Sequence, residues 1–108
     1  MLSVDEMVGK LTEASEKLAK GMKHASATRE KMPAQDKRSR RAEDAHNDLQ
    51  DALMSAELLA DDLKLIRKFR KNRDHQQLDR TMYDAVTLKL DEVLLELNET
   101  SKLAKMHR

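Results

Sequence analysis

AEDAHNDLQDALMSAELLADDLKLI, residues 42–66, decides the fold. Ala42, Leu49, Ala56 and Leu63 recur every seven residues, and Ala45, Ala52, Leu59 and Ile66 form a second row three places on. A strand would alternate every second residue, so two apolar rows at this period mark one stripe of an α-helix. The alanines at 42, 45, 52 and 56 let a neighbouring helix approach closely, while the leucines and Ile66 thicken the seam towards its C-terminal half. A helix with one such stripe needs partners of the same kind to bury it.

Towards the N-terminus the partner is present. Val4, Leu11, Leu18, Ala25 and Met32 recur every seven residues, with Met7, Ala14 and Gly21 three places later. Ser3 and Glu6 make the S-x-x-E pattern of a capping box, and Leu2 and Met7 occupy the positions of a hydrophobic staple. The pattern ends at Pro33, which has no amide hydrogen and breaks a helix.

Towards the C-terminus comes RKFRKNRDHQQLD, residues 67–79. Asp74 followed by Gln77 reads as the cap of another helix, with a tight turn at residues 72–74; with no Gly or Pro there, one uninterrupted helix is the alternative. That helix carries Tyr83, Leu90, Leu97 and Ala104 in one row and Val86, Val93 and Thr100 in the other. The expectation is an all-α chain, a single domain over residues 1–108, with helices over about 3–32, 35–72 and 75–106. Short connections make it an antiparallel three-helix bundle with coiled-coil-like heptad seams, able to dimerise through its second and third helices. Packing the first two helices about Pro33 sets Val4 near Leu63 and Ala25 near Ala42, and predicts that Lys17 faces Asp48.

Composition agrees with a helical reading: 38% of residues are charged and 2% aromatic, with two glycines and one proline. In helix number and length the outline resembles spectrin repeats and the chaperone-regulating BAG domains, although the tryptophan expected early in a spectrin repeat is missing. The resemblance carries no functional residue onto this chain. The absence of cysteine excludes disulfides, thiolate metal sites and a cysteine nucleophile. With neither a signal-peptide pattern at MLSVDEMVGK nor an apolar run long enough to span a bilayer, the expected location is cytoplasmic.

The net charge of +1 hides segregation. Residues 42–63 hold seven acidic side chains and no Lys or Arg, whereas residues 64–73 hold six basic and none acidic. Residues 29–41 hold six basic and two acidic side chains, so two basic clusters flank the acidic block: Lys37, Arg38, Arg40 and Arg41 before it, and Arg67, Lys68, Arg70, Lys71 and Arg73 around Phe69 after it. They supply the alternative reading, a nucleic-acid binder whose cations neutralise phosphates while Phe69 stacks on a base. Against it, the clusters stand at opposite ends of one helix, and basic residues in a last turn also complement the helix dipole. Membrane-surface binding is less attractive still, since acidic blocks repel anionic lipid.

Catalytic and metal chemistry find little support. Glu43 and His46 make an E-x-x-H pair, but a second such pair is needed for a di-metal bundle and none occurs in the chain. Neither His24, His75 nor His107 has a flanking nucleophile and orienting acid. A narrow bundle also leaves little room for a substrate pocket, so no enzymatic activity, metal or cofactor is expected.

The informative excess is apolar. Leu58 and Leu65 on the second helix, and Leu88 and Leu95 on the third, fall outside the seams and make outward stripes. They are the expected anchors of a non-enzymatic interaction module: an adaptor, scaffold or small regulator that binds a protein partner or itself as a homodimer. Glu57, Asp61 and Asp62 beside the stripe would select a partner by charge.

Overall fold

Ser3 starts the first helix by accepting the Glu6 amide hydrogen on its hydroxyl at 3.1 Å, while the Ser3 carbonyl accepts from Met7 at 3.0 Å. In the computed structural model, which describes residues 3–71 and 80–107, the chain is all-helical. Helices α1 (Val4–Glu30), α2 (Arg40–Lys71) and α3 (Arg80–Lys105) each pack against both others. Leu2 of the predicted staple, the predicted turn at 72–74 and the Asp74 cap lie outside the described residues. So do the side chains of Arg67, Phe69, Arg70 and Lys71.

Pro33 ends α1 as its chemistry requires, two residues earlier than the expected bound at 32. Proline offers no amide hydrogen to the Arg29 carbonyl, and it disfavours the α conformation at the residue before it. Met32 donates to Arg29 instead and Lys31 to Thr28, both at 3.2 Å, which tightens the last turn.

The second helix corrects the expectation of a start at 35. Gln35–Lys37 form a single 3-10 turn, closed by the Lys37 amide donating to the Ala34 carbonyl at 2.9 Å. Arg38 is then extended at φ −84°, ψ 140°, and the Ser39 hydroxyl accepts from the Ala42 amide at 3.2 Å. Ser39 is therefore the cap that starts α2 at Arg40.

The core follows the predicted rows. All eight seam residues of α2 are buried, as are Met7, Leu11, Leu18 and Ala25 from α1, Met32 just after it, and Tyr83, Leu90, Val93, Leu97 and Ala104 from α3, while Val4, Ala14, Gly21 and Val86 of the predicted rows are half-buried. Burial also reaches Leu53, and the partly buried Leu94, Met22 and Val8 pack against the core, so the buried face is wider than two rows. In α3 it takes Ser101 in preference to Thr100, which is half-buried. A straight helix drifts about 20° per seven residues against a strict heptad. Over successive turns this carries Thr100 off the seam and brings Ser101 in.

Buried Thr28 is satisfied by donating its hydroxyl to the His24 carbonyl at 3.0 Å. Near the start of α3, Arg80 pairs with Asp84 at 2.9 Å and lies 5.9 Å from the centre of the Tyr83 ring.

Along α1 and α3, contacting residue numbers rise together. Lys10, Ala14 and Lys17 share a surface groove with Leu90, Asp91 and Leu94. Gly21 lies against Leu94 and Leu97, and the Lys105 ammonium reaches His24 Nε2 at 2.6 Å. Lys17 thus faces α3, and among the described residues no salt bridge joins it to Asp48. A flanking position on a helix can turn to either neighbour, and the third helix settles which. The assembly is elongated, 52 × 22 × 16 Å, its long axis set by the 32 residues of α2 at about 1.5 Å each.

Candidate interaction surface

Each of the four predicted anchor leucines stands two residues from a buried residue: Leu58 from Ala56, Leu65 from Leu63, Leu88 from Leu90 and Leu95 from Leu97. Two residues turn a helix by about 200°. A leucine so placed points away from a core that holds its neighbour. Leu58 is 68% exposed and Leu88 63%, while Leu90 and Leu97 are buried. Met54 prolongs the α2 stripe by one turn towards the N-terminus, and Leu103 and Met106 prolong the α3 side towards the C-terminus. The seven-residue spacing of the leucine pairs does not reach these three; Met54 lies four residues before Leu58, the other helical spacing.

The large exposed hydrophobics are distributed unevenly. Among the described residues all of them belong to α2, α3 or the turn after α3, and α1 has none. Outward positions on α1 carry Glu16, Lys20 and Lys23 instead, all exposed. The outward positions of α1 are thus polar, whereas α2 and α3 each carry an exposed apolar stripe.

Charge separates the two stripes. Glu57, Asp61 and Asp62 are exposed beside Leu58 on α2, inside the segment that contains no Lys or Arg. The α3 stripe has a mixed border, with Lys89 and Lys102 exposed among Asp91, Glu92 and Glu99. Where α2 meets α3, a groove of about 250 Å³ is lined by Ser55, Leu58, Leu59, Asp62 and Lys89, with Leu59 buried. It takes one side chain and falls below the roughly 300 Å³ typical of small-molecule pockets.

The residues of the alternative nucleic-acid reading are dispersed. Lys37, Arg40 and Arg41 are exposed at the first turn of α2 and just before it, and Lys68 is exposed near its end, about 40 Å from Arg41 along the helix. Arg38 is half-buried, its Nε donating to the Pro33 carbonyl at 2.6 Å, so it serves the corner between α1 and α2. Arg73 and the side chains of Arg67, Phe69, Arg70 and Lys71 lie outside the described residues.

His46 sits at the same corner. Its Nδ1 is buried with no hydrogen-bond partner among the described residues. Burial, then the positive charge of Arg38, hold the imidazole below its ordinary 6.5; Arg29 acts in the same direction and the Asn47 side chain opposes in part. Glu43 is half-buried, and among the described residues no group of three or more His, Asp or Glu is placed to hold a metal ion.

Comparison with family models, with curated proteins and with solved structures finds no match. Among the described residues no helix is long and apolar enough to cross a membrane.

Proposed function

We propose that the protein is a non-enzymatic helical interaction module, an adaptor, scaffold or small regulator, that binds a protein partner or a second copy of itself through the outer faces of α2 and α3. The observation that carries this reading is the confinement of the large exposed hydrophobics to those two helices and the adjoining turn. Leu58, Leu65, Leu88 and Leu95 are its apolar anchors, and Glu57, Asp61 and Asp62 bias the choice of partner. Leaving such stripes in water forgoes about 25 cal/mol for every Å² of apolar surface that a partner would cover. The reading includes an up-down-up course for the three helices, supported by the parallel rise of contacts along α1 and α3.

Self-association is favoured at the α3 stripe by its mixed border. An antiparallel pair of α3 helices that sets Leu88 against Met106 of a second copy also sets Glu92 against Lys102. The test replaces Leu88 and Leu95 together by Asp. Helical content and melting temperature should be kept, while light scattering should show loss of the assembly formed by the wild-type chain. A monomeric wild type whose fold collapses in the double variant would show these leucines to be core and sink the reading. Reversing Arg67, Lys68, Arg70 and Lys71 to Glu should leave the assembly intact; abolition of a salt-sensitive nucleic-acid complex by that change would favour the alternative.

A further inference from the structure

We propose that the α2 stripe, Met54, Leu58 and Leu65 with its border of Glu57, Asp61 and Asp62, seats an amphipathic helix of another protein whose apolar side is flanked by Lys and Arg. The inference rests on the interaction-module reading and adds the chemistry of the occupant.

Around Glu57, Asp61 and Asp62 charge argues against the other candidates one at a time, while exposed Lys64 and Lys68 flank the stripe at its Leu65 end and Lys89 lines the groove. Two copies packed face to face through this stripe would centre their two-fold axis between Met54 and Leu65, gathering Glu57, Asp61 and Asp62 from both around it. Like charges so placed oppose association. An anionic bilayer meets the same repulsion. The lysine-bearing outer face of α1 in a second copy has suitable charge but no large exposed hydrophobic among the described residues. Such a head-to-tail contact would also propagate into open chains, because it does not close on itself. A cationic helix from elsewhere satisfies both requirements: apolar side chains for the stripe and cations for its border.

The geometry suits a helix. Met54, Leu58 and Leu65 run along one side of α2, and a helix laid beside them presents anchors at the same periodicity. One of these anchors can enter the groove between α2 and α3, where it meets Leu58 and buried Leu59. A lysine or arginine beside that anchor then reaches Asp62 at the groove's edge. Such exposed charge pairs contribute more to partner choice and encounter rate than to affinity, so leucine contact supplies most of the binding.

The test uses the full chain and two fluorescent helical peptides, one built of Leu and Lys, the other identical with Glu in place of Lys. The Lys peptide should bind, more weakly as salt rises, and the Glu peptide should not. Leu58→Asp, and separately Asp61→Lys with Asp62→Lys, should each weaken binding by at least about tenfold, as loss of a central anchor or reversal of its border does. Asp44→Lys, in the same acidic segment but away from the stripe, should change it by less than about threefold. Equal binding of both peptides, no binding of the Lys peptide, or indifference to both stripe variants would overturn the proposal. So would a melting temperature lowered in Leu58→Asp by as much as a core substitution lowers it. Loss of self-association in Leu88→Asp with Leu95→Asp, alongside absent peptide binding, would remove the cationic occupant and leave the interaction module standing.

Discussion

Leu95 and Leu97 are separated by one residue on α3, yet one is 58% exposed and the other 3%. Replacing each by alanine gives the sharpest check on how the third helix is turned. For Leu97, burial of the side chain is worth about 1.5–3 kcal/mol, and the cavity left behind raises the usual cost of Leu→Ala to about 2–5 kcal/mol. The upper half of that range applies if the cavity persists, and Gly21 gives a reason why it should. A methyl added at Gly21 would lie 3.7 Å from Leu97 Cδ1, so α1 now has no side chain there that could move into vacated space. At an unfolding entropy of about 2.1 cal/mol/K per residue over 108 residues, a loss of about 4 kcal/mol lowers the melting temperature by roughly 18 °C. Leu95→Ala should stay within about 0.5 kcal/mol, or roughly 2 °C. Thermal melts followed by circular dichroism at two protein concentrations provide the assay. Adding Gly21→Ala to Leu97→Ala should recover no more stability than Gly21→Ala adds alone, since the new methyl fits beside Leu97 and does not enter the hole its removal leaves. A Leu95→Ala variant that melts as low as Leu97→Ala, independently of concentration, would refute the phase of α3 and with it the outward stripe.

Two other measurements probe the remaining helices. Gly9 has nothing within 4 Å of an added Cβ, and Gly21 only ordinary contacts at 3.7 and 3.8 Å, so Gly9→Ala and Gly21→Ala should each stabilise. The gain is about 1 kcal/mol at each site, from the better helix propensity of alanine, and a drop in melting temperature at Gly21 would show α1 and α3 closer than described. His46 should make the fold acid-sensitive: its folded pKa lies below the ordinary 6.5, so the unfolded chain takes up its proton first as pH falls. That group's contribution is intact above 6.5, declines as pH drops below it, and levels off under the folded value. Melting temperatures of wild type and His46→Gln, compared from neutral pH down to mildly acid, should diverge on that side only, with wild type losing more.

Much of this was legible in the chain because helix periodicity is a local property. The seven-residue rows of α2 named its buried residues, and the two-residue offset of Leu58 and Leu95 from buried neighbours named the outward ones. Ser3 and Pro33 marked the ends of α1 through hydrogen bonds that reach only three or four residues. The Ser39 cap was also present in the letters, but the expected start at 35 passed over it: Gln35–Lys37 has helical composition and closes a single 3-10 turn instead.

Sequence alone, then, determined that three amphipathic helices form, which face of each is apolar, and that α2 and α3 hold more leucine than one core stripe can use. Tertiary structure decided what lies beside each flank. Leu53 is buried although it belongs to neither row, Ser101 displaces Thr100, Lys17 turns to α3, and the half-buried His46 has its Nδ1 buried within the field of Arg38 and Arg29. Each of these depends on where a distant helix or corner comes to rest. The backbone repeat sets the angle of a side chain about its own axis, but only packing sets what stands at that angle.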